Sequence, residues 1–275
     1  MLRACQPELL DHLPPDNPGA VGSRRDLRRL NAWMGNARFM ADALKSFLPN
    51  LSQPQILEIG AGDGTFCLKV AKRLHPRLSA PAAVLLDRQN LITSATRAQF
   101  LQLGYDVESA KADVFEYLQG SKSQNPTHLT GPTSPTSPTC LTSASYDAII
   151  ANLFLHHFSD DQLSELFHLA QKRTSLFIAV EPRRSPVSVF AGKFLWAIGC
   201  NSVTRHDAAI SIRAGFSGQE LSSLWPQTHG WTCEERPAGF SSHLFIAKRS
   251  LSPASALPLE KRTGQKMSSS SAFSL

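Results

Sequence analysis

A chain of 275 residues with 42% hydrophobic and 18% charged content can bury one large core, with room for a lid or small subdomain. Its formal charge of +6 and pI of about 9.2 raise nucleic acid or an anionic membrane surface as partners, yet the excess is local. Arg24, Arg25, Arg28 and Arg29 cluster near the start and Lys261, Arg262 and Lys266 near the end, so a solvated helix face and a tail are the preferred reading. The five cysteines (Cys5, Cys67, Cys140, Cys200, Cys233) are scattered and form no C-x-x-C pair. They point to neither a disulfide framework nor a zinc site; reduced thiols, a cytoplasmic location and no metal are expected.

Residues 1–22 are rich in proline and small or acidic residues and are expected to form an irregular arm. The first ten lack an apolar stretch long enough for a signal peptide. From Ser23, Leu27, Leu30, Met34 and Leu44 fall near helical spacing, which predicts one or two helices to about Phe47 within a lid segment, 23–50.

The stretch Ile56-Leu-Glu-Ile-Gly-Ala-Gly-Asp-Gly-Thr65 is the most informative in the chain. An apolar run reaches an acidic residue, glycines alternate at Gly60, Gly62 and Gly64, and an amphipathic segment follows with Phe66, Val70, Ala71 and Leu74 on one face before Pro76. This predicts a strand, a tight turn and a helix, with the turn at the carboxyl end of a strand where ligands collect. A dinucleotide fingerprint needs a third glycine at position 65, where Thr65 stands, and a P-loop needs a lysine that does not follow Gly64.

Further strands are predicted at Ala82–Asp87, around Asp106–Ala110, at Tyr146–Asn152 and at Ser175–Glu181, the last closed by Pro182. A helix over Thr93–Leu103 stops at Gly104, and a capping box, Ser159-Asp-Asp-Gln162, opens another ahead of Leu163, Leu166, Phe167 and Ala170. Strand–helix alternation of this kind implies βαβ units and a mostly parallel sheet with helices on both faces. The segment 120–145 is dominated by Ser, Thr and Pro and is expected to be a disordered insertion, as is the tail, 251–275. Val187–Cys200 reads as an apolar helix, and with only 14 residues, one of them Lys193, it is too short to span a membrane. A second capping box, Ser217-Gly-Gln-Glu220, leads into Leu221, Leu224 and Trp225; Trp231–Glu235 and His243–Ala247 predict a terminal strand pair.

The motif Glu58-x-Gly60-x-Gly62-x-Gly64 resembles the first motif of class I S-adenosylmethionine-dependent methyltransferases. Asp87 ends the second predicted strand, Lys111-Ala-Asp113-Val114-Phe115 follows the third, and Tyr146-Asp-Ala-Ile-Ile-Ala-Asn152-Leu-Phe-Leu-His156-His157-Phe158 resembles the fourth motif of the type-11, ubiquinone-biosynthesis-like small-molecule group. The resemblance covers about residues 55 to 182. It implies an α/β, Rossmann-like class I methyltransferase fold with a mostly parallel seven-stranded sheet, order 3-2-1-4-5-7-6, an antiparallel seventh strand, and a helical substrate lid. The domain would span 23–250, with lid regions at 23–50 and 183–225.

The resemblance also implies S-adenosyl-L-methionine as cofactor, held by Glu58, Gly60, Ala61, Gly62, Gly64, Asp87, Arg88, Asp113, Val114, Asn152 and Leu153. Asp87 would accept the ribose hydroxyls, Asp113 and the Val114 amide would meet the adenine, and Asn152 would line the pocket. Asp113 has an alternative role as a helix cap. The absence of Asn/Asp-Pro-Pro-Tyr/Phe at Asn152 weighs against methylation of base amines while leaving other RNA methyltransferases open; with the basic cluster read as a solvated face, nucleic acid is not the expected partner.

Methyl transfer to a phenol, whose pKa lies near 10, benefits from a general base, for which His156, His157 and His206 are the candidates. His206-Asp207 is either an oriented base or the start of a helix over Ala208–Arg213. Trp33, Phe190, Phe194 and Trp196 are candidate substrate-binding residues for a small apolar acceptor of phenolic, quinone or polyketide type, with burial in the core as the alternative. The expected activity is O-methylation of such a molecule. The rivals are an RNA or protein methyltransferase using the N-terminal arginines and a non-catalytic cofactor-binding protein.

Overall fold

The computed structural model of the chain describes residues 2–14, 16–48, 53–78, 80–120, 145–192 and 194–250. The expected Ser/Thr/Pro insertion, apart from its two ends, and the tail lie outside the described residues, as do Cys140 and Lys193.

The N-terminal arm contains one helical turn, α1 (Leu9–His12), and gives way to α2 (Pro18–Met34) earlier than the sequence predicted. Asn17 starts α2 by accepting from the amides of Gly19 and Ala20, with Pro18 at the first helical position, where its missing N–H costs nothing. Gly35, at φ +74°, ends α2 and lets α3 (Asn36–Phe47) set off in a new direction.

The core follows as β1 (Gln55–Ile59), α4 (Thr65–Leu74), β2 (Ala82–Asp87), α5 (Ser94–Gln102), β3 (Asp106–Lys111), α6 (Val114–Gln119), β4 (Ala148–Asn152), α7 (Asp160–Gln171) and β5 (Leu176–Pro182). Then come α8 (Pro186–Gly192), α9 (Ser202–Ala214), α10 (Glu220–Leu224), β6 (Trp231–Ala238) and β7 (Ser242–Arg249). The seven strands lie in the order β3-β2-β1-β4-β5-β7-β6. β1 to β5 are parallel, while β7 runs antiparallel to both β5 and β6. That is the order the methyltransferase resemblance implied.

Alternation along the central strands builds two apolar layers. Leu57, Ile59, Ile149, Ala151, Phe177 and Ala179 face α6, α7 and α10, where Phe167, Trp225 and Phe245 pack their rings together. Ile56, Ala148, Ile150, Leu176, Ile178 and Val180 face α3 and α4. A sheet covered on both faces is what such continuous apolar strands require.

Three local expectations change. The helix expected over Val187–Cys200 ends at Gly192, after which residues 194–199 run as turns that bury Leu195 and Cys200 against Leu30 of α2. α9 starts at Ser202, capped by Asn201, so Asp207 lies inside the helix rather than at its start. Only half of the second capping box forms: the Glu220 carboxylate accepts from the Ser217 amide, while the Ser217 hydroxyl accepts from Arg184. The first box, at Ser159 and Gln162, is complete. Among the described residues no helix is long and apolar enough to cross a membrane.

Candidate functional site

The carboxyl ends of β1, β2 and β3 form one half of the site. All three glycines of the turn after β1 have positive φ, from +56° to +73°, a region that costs other residues strain. At Gly62 a β-carbon would meet nothing within 4 Å, so the backbone there faces open space. At Gly60 a β-carbon would lie 2.2 Å from the Phe154 ring, which rests directly on the turn. Ala61 is buried and donates to Leu86 O, tying the turn to β2.

Asp87, at the end of β2, accepts from the amides of Gly62 and Gln89 at 2.8 Å each, which points its carboxylate toward the glycine turn. Burial raises its pKa, the two amides partly offset this, and Asp11 of the arm raises it further. Asp113 follows β3 and caps α6 through the Phe115 amide, the alternative role that the sequence left open. It is also clamped by Arg88 at 2.5 Å. Burial alone would raise its pKa, but Arg88 and the backbone amides outweigh it and hold the carboxyl below its ordinary value. Val114 is buried beside it. Glu58 lies inside the sheet, 2% exposed, with one carboxylate oxygen unpartnered. Burial, then Asp63 and Asp87, push its pKa well up.

The end of β4 forms the other half. Asn152 accepts from Asn36 at 2.9 Å and donates to Asn31 at 3.1 Å, and the Ser242 hydroxyl donates to Asn36, a side-chain network joining α2 and α3 to the sheet. Leu153 holds a left-handed φ of +51°, which turns the chain sharply into the short 3₁₀ turn at 155–157.

His156 is 4% exposed, and both of its ring nitrogens are engaged. Nδ1 meets Glu181 at 2.8 Å and Nε2 meets Glu8 at 3.3 Å. Burial alone would lower its pKa, but the two carboxylates outweigh it and raise it to about 9. Glu181, wholly buried at the end of β5, also accepts from the Phe154 and Leu155 amides at 2.9 Å. His157 stacks on His156 with ring centroids 4.3 Å apart and sets Nδ1 3.4 Å from Asp11. His206 is half exposed, with Nδ1 3.0 Å from Asp207.

The arm is fastened across this end. Arg3 donates to the carbonyls of Ala214 and Phe158 and pairs with Asp160; the amides of Leu9 and Leu10 donate to Asp207 at 2.9 and 3.0 Å; the Ser211 hydroxyl donates to Glu8. The structure therefore brings His156, His157 and Asp207 to one place with Glu8, Asp11 and Glu181. None of these three carboxylates belongs to a motif that the sequence offers for chemistry. An acid closing the apolar run Leu176-Phe-Ile-Ala-Val-Glu181 was the available signal for Glu181; Glu8 acts at a separation of 148 residues and left none.

Trp33, Phe190, Phe194 and Trp196 lie on the surface, 49 to 71% exposed, with Phe190 and Phe194 in contact at 4.9 Å. They are not core residues. Arg28 of the basic cluster pairs with Asp63 of the glycine turn, and Arg29 with Asp26 and the Ile198 carbonyl.

No family model matches the chain, and no curated protein does. Solved structures do. The mitomycin 7-O-methyltransferase MmcR aligns with 88% of this chain at a TM-score of 0.53 and 14% identity. The plantazolicin methyltransferase BpumL, solved with S-adenosylhomocysteine (SAH), aligns with 85% at 0.52 and 12% identity. An O-methyltransferase family protein from Burkholderia thailandensis aligns with 86% at 0.50 and 16% identity. The likeness is one of fold. The chain has the Rossmann-like class I methyltransferase fold, and it spans about three fifths of the length of the mitomycin and Burkholderia proteins, 60% and 63%, against 91% of BpumL.

Proposed function

We propose that the chain is an S-adenosylmethionine-dependent methyltransferase acting on an oxygen of a small apolar molecule. The observation that carries this reading is the open Gly62 backbone flanked by Asp87 and Asp113 at the ends of three adjacent parallel strands. That cradle fits a nucleoside: backbone free of side chains for close approach, one carboxylate for a ribose diol, and a second for an adenine amine. The bound cofactor supplies an electrophilic methyl carbon.

The chain's part is to hold the acceptor oxygen in line, exclude water and take the hydroxyl proton. Both nitrogens of His156 are committed, which favours a bracing role for it. Asp207 occupies Nδ1 of His206 at 3.0 Å and Asp11 stands 3.4 Å from Nδ1 of His157; an aspartate on that side orients an imidazole and leaves Nε2 for the proton. The exposed aromatics of α2 and residues 190–196 favour an apolar acceptor. An RNA reading is weakened because Arg28 and Arg29 are paired within the protein.

The test is calorimetric titration with S-adenosylmethionine and S-adenosylhomocysteine, followed by assay of S-adenosylhomocysteine release with phenolic acceptors. Micromolar-scale binding that Asp87→Ala weakens at least tenfold is expected. Equal binding by that variant, or none by the native chain, overturns the cofactor assignment. Cofactor binding without turnover on any phenol or quinol overturns the acceptor class.

A further inference from the structure

We propose that Glu8, His156 and His157 form a binding site for one zinc-like divalent ion, which fastens the N-terminal arm to the end of β4. One donor atom from each of the three lies within 4.8 Å of the others. Two imidazoles and a carboxylate are the donor set of borderline ions such as Zn²⁺.

Three features separate this cluster from an ordinary buried ion pair. The first is spacing. His156 Nε2 and Glu8 Oε1 stand 3.3 Å apart. Two ligands on one tetrahedral ion with bonds of about 2.0–2.1 Å lie about 3.3–3.4 Å apart. The second is bracing. Glu181 holds Nδ1 of His156 and is itself fixed by two backbone amides, while Asp11 stands at Nδ1 of His157. Carboxylates behind ligating histidines orient the rings and raise their basicity. The third is charge: the carboxylates of Glu8, Asp11 and Glu181 surround two stacked imidazoles, an arrangement that a divalent cation relieves.

Ion binding displaces to solvent the proton between His156 Nε2 and Glu8, while the Nδ1 proton stays in the hydrogen bond to Glu181. It also takes up a nitrogen of His157, which then serves as a proton acceptor only in the metal-free protein. Because Glu8 lies 148 residues from His156, the ion acts as a cross-link between the arm and the core. The inference does not rest on methyl transfer, and its readout is independent of it.

The experiment uses the full chain, stripped with a chelator and dialysed against Zn²⁺, with bound metal read by elemental analysis and Co²⁺ used as a spectroscopic probe. One ion per chain is expected, with the intense visible bands of four- or five-coordinate Co²⁺ and a raised melting temperature. Glu8→Gln and His157→Ala should each weaken binding at least tenfold, and Asp11→Asn less. His168→Ala, on the exposed face of α7, should leave it unchanged. Substoichiometric metal, the weak spectrum of hydrated six-coordinate Co²⁺, or equal affinity in the Glu8 and His157 variants overturns the proposal. Glu8→Gln keeps the shape of the side chain and removes only its charge; should a variant unfold, the native chain's Co²⁺ spectrum decides.

Discussion

The two halves of the site are built on opposite plans. At the ends of β1, β2 and β3 the backbone does most of the work: amides of Gly62, Gln89 and Phe115 hold Asp87 and Asp113, and Gly62 is left bare. At the ends of β4 and β5 the space is filled by side chains that reach across the fold, with Glu181, His156 and Glu8 joined in a buried row. A backbone cradle keeps its shape when a side chain is lost. A row of buried charged groups fails as a unit, because each deletion strands its neighbours in a medium that solvates them poorly.

The contrast is sharpest in stability. Glu181→Ala removes the acceptor of two amides and of His156, and should cost about 3–5 kcal/mol, read as a lowered urea midpoint at unchanged m-value. A cost below about 1 kcal/mol would mean that the row is solvated and the two halves are alike.

Within the cradle the two glycines should separate. Gly60→Ala combines about 1–3 kcal/mol of backbone strain with a clash against Phe154 and should cut stability. Gly62→Ala carries only the strain, about 1–2 kcal/mol, because its β-carbon meets nothing. Under the proposed cofactor assignment its larger effect should be on S-adenosylmethionine affinity, at least tenfold by calorimetry, since the methyl group would enter the open space beside the backbone. Equal affinity losses for equal stability losses would erase the distinction between a packing glycine and a binding one.

Legibility in the sequence follows the same line. Ala82–Asp87 is a strand over the residues the pattern predicted, and the Ser159 capping box and Gly104 stop stand where predicted, because each depends on neighbours a few positions away. The glycine turn belongs to this local class, as does the Asp113 cap. The longer helix expected over Val187–Cys200 fails for a tertiary reason: beyond Gly192 the chain turns to bury Leu195 and Cys200 against α2. α9 begins earlier than expected because Asn201 caps it, a local cue that competes in the sequence with the acidic Asp207. The aromatics of 190–196 fit a core stripe equally well by spacing, and only packing places them outside. The roles of Glu8 and Asp11 arise wholly from the arm crossing the fold.

A smaller effect tests the charge balance beneath the cradle. The pKa of Glu58 is raised in the folded state, so its unfolded form ionises first. The stability it contributes is complete below the unfolded value of about 4.5 and is lost as pH rises toward the folded value. The native chain should therefore lose melting temperature between pH 5 and pH 8 by more than Glu58→Gln does, in paired scans at fixed salt. Parallel curves would place the Glu58 charge in contact with water.

The smallest effect belongs to Arg88, whose side chain is 74% exposed. Its pairing with Asp113 lowers the folded pKa of that carboxyl, so any contribution is present above the unfolded value and fades as pH falls through the folded one. Arg88→Ala should cost at most about 1 kcal/mol at neutral pH, less in high salt. A loss as large as that of Glu181→Ala would show that the cradle also depends on its ion pair.

The direction of the last strand governs how the protein can be handled. β7 starts beside Pro182, at the site end of the sheet, and Lys248 stands opposite Leu176 at the other end. An affinity handle attached at the exposed Lys248 thus sits at the end of the sheet remote from the glycine turn and the arm. A handle placed ahead of Arg3 would pull on the contacts to Phe158, Ala214 and Asp160. Immobilised through Lys248, the protein presents both halves of the site to the flowing solution.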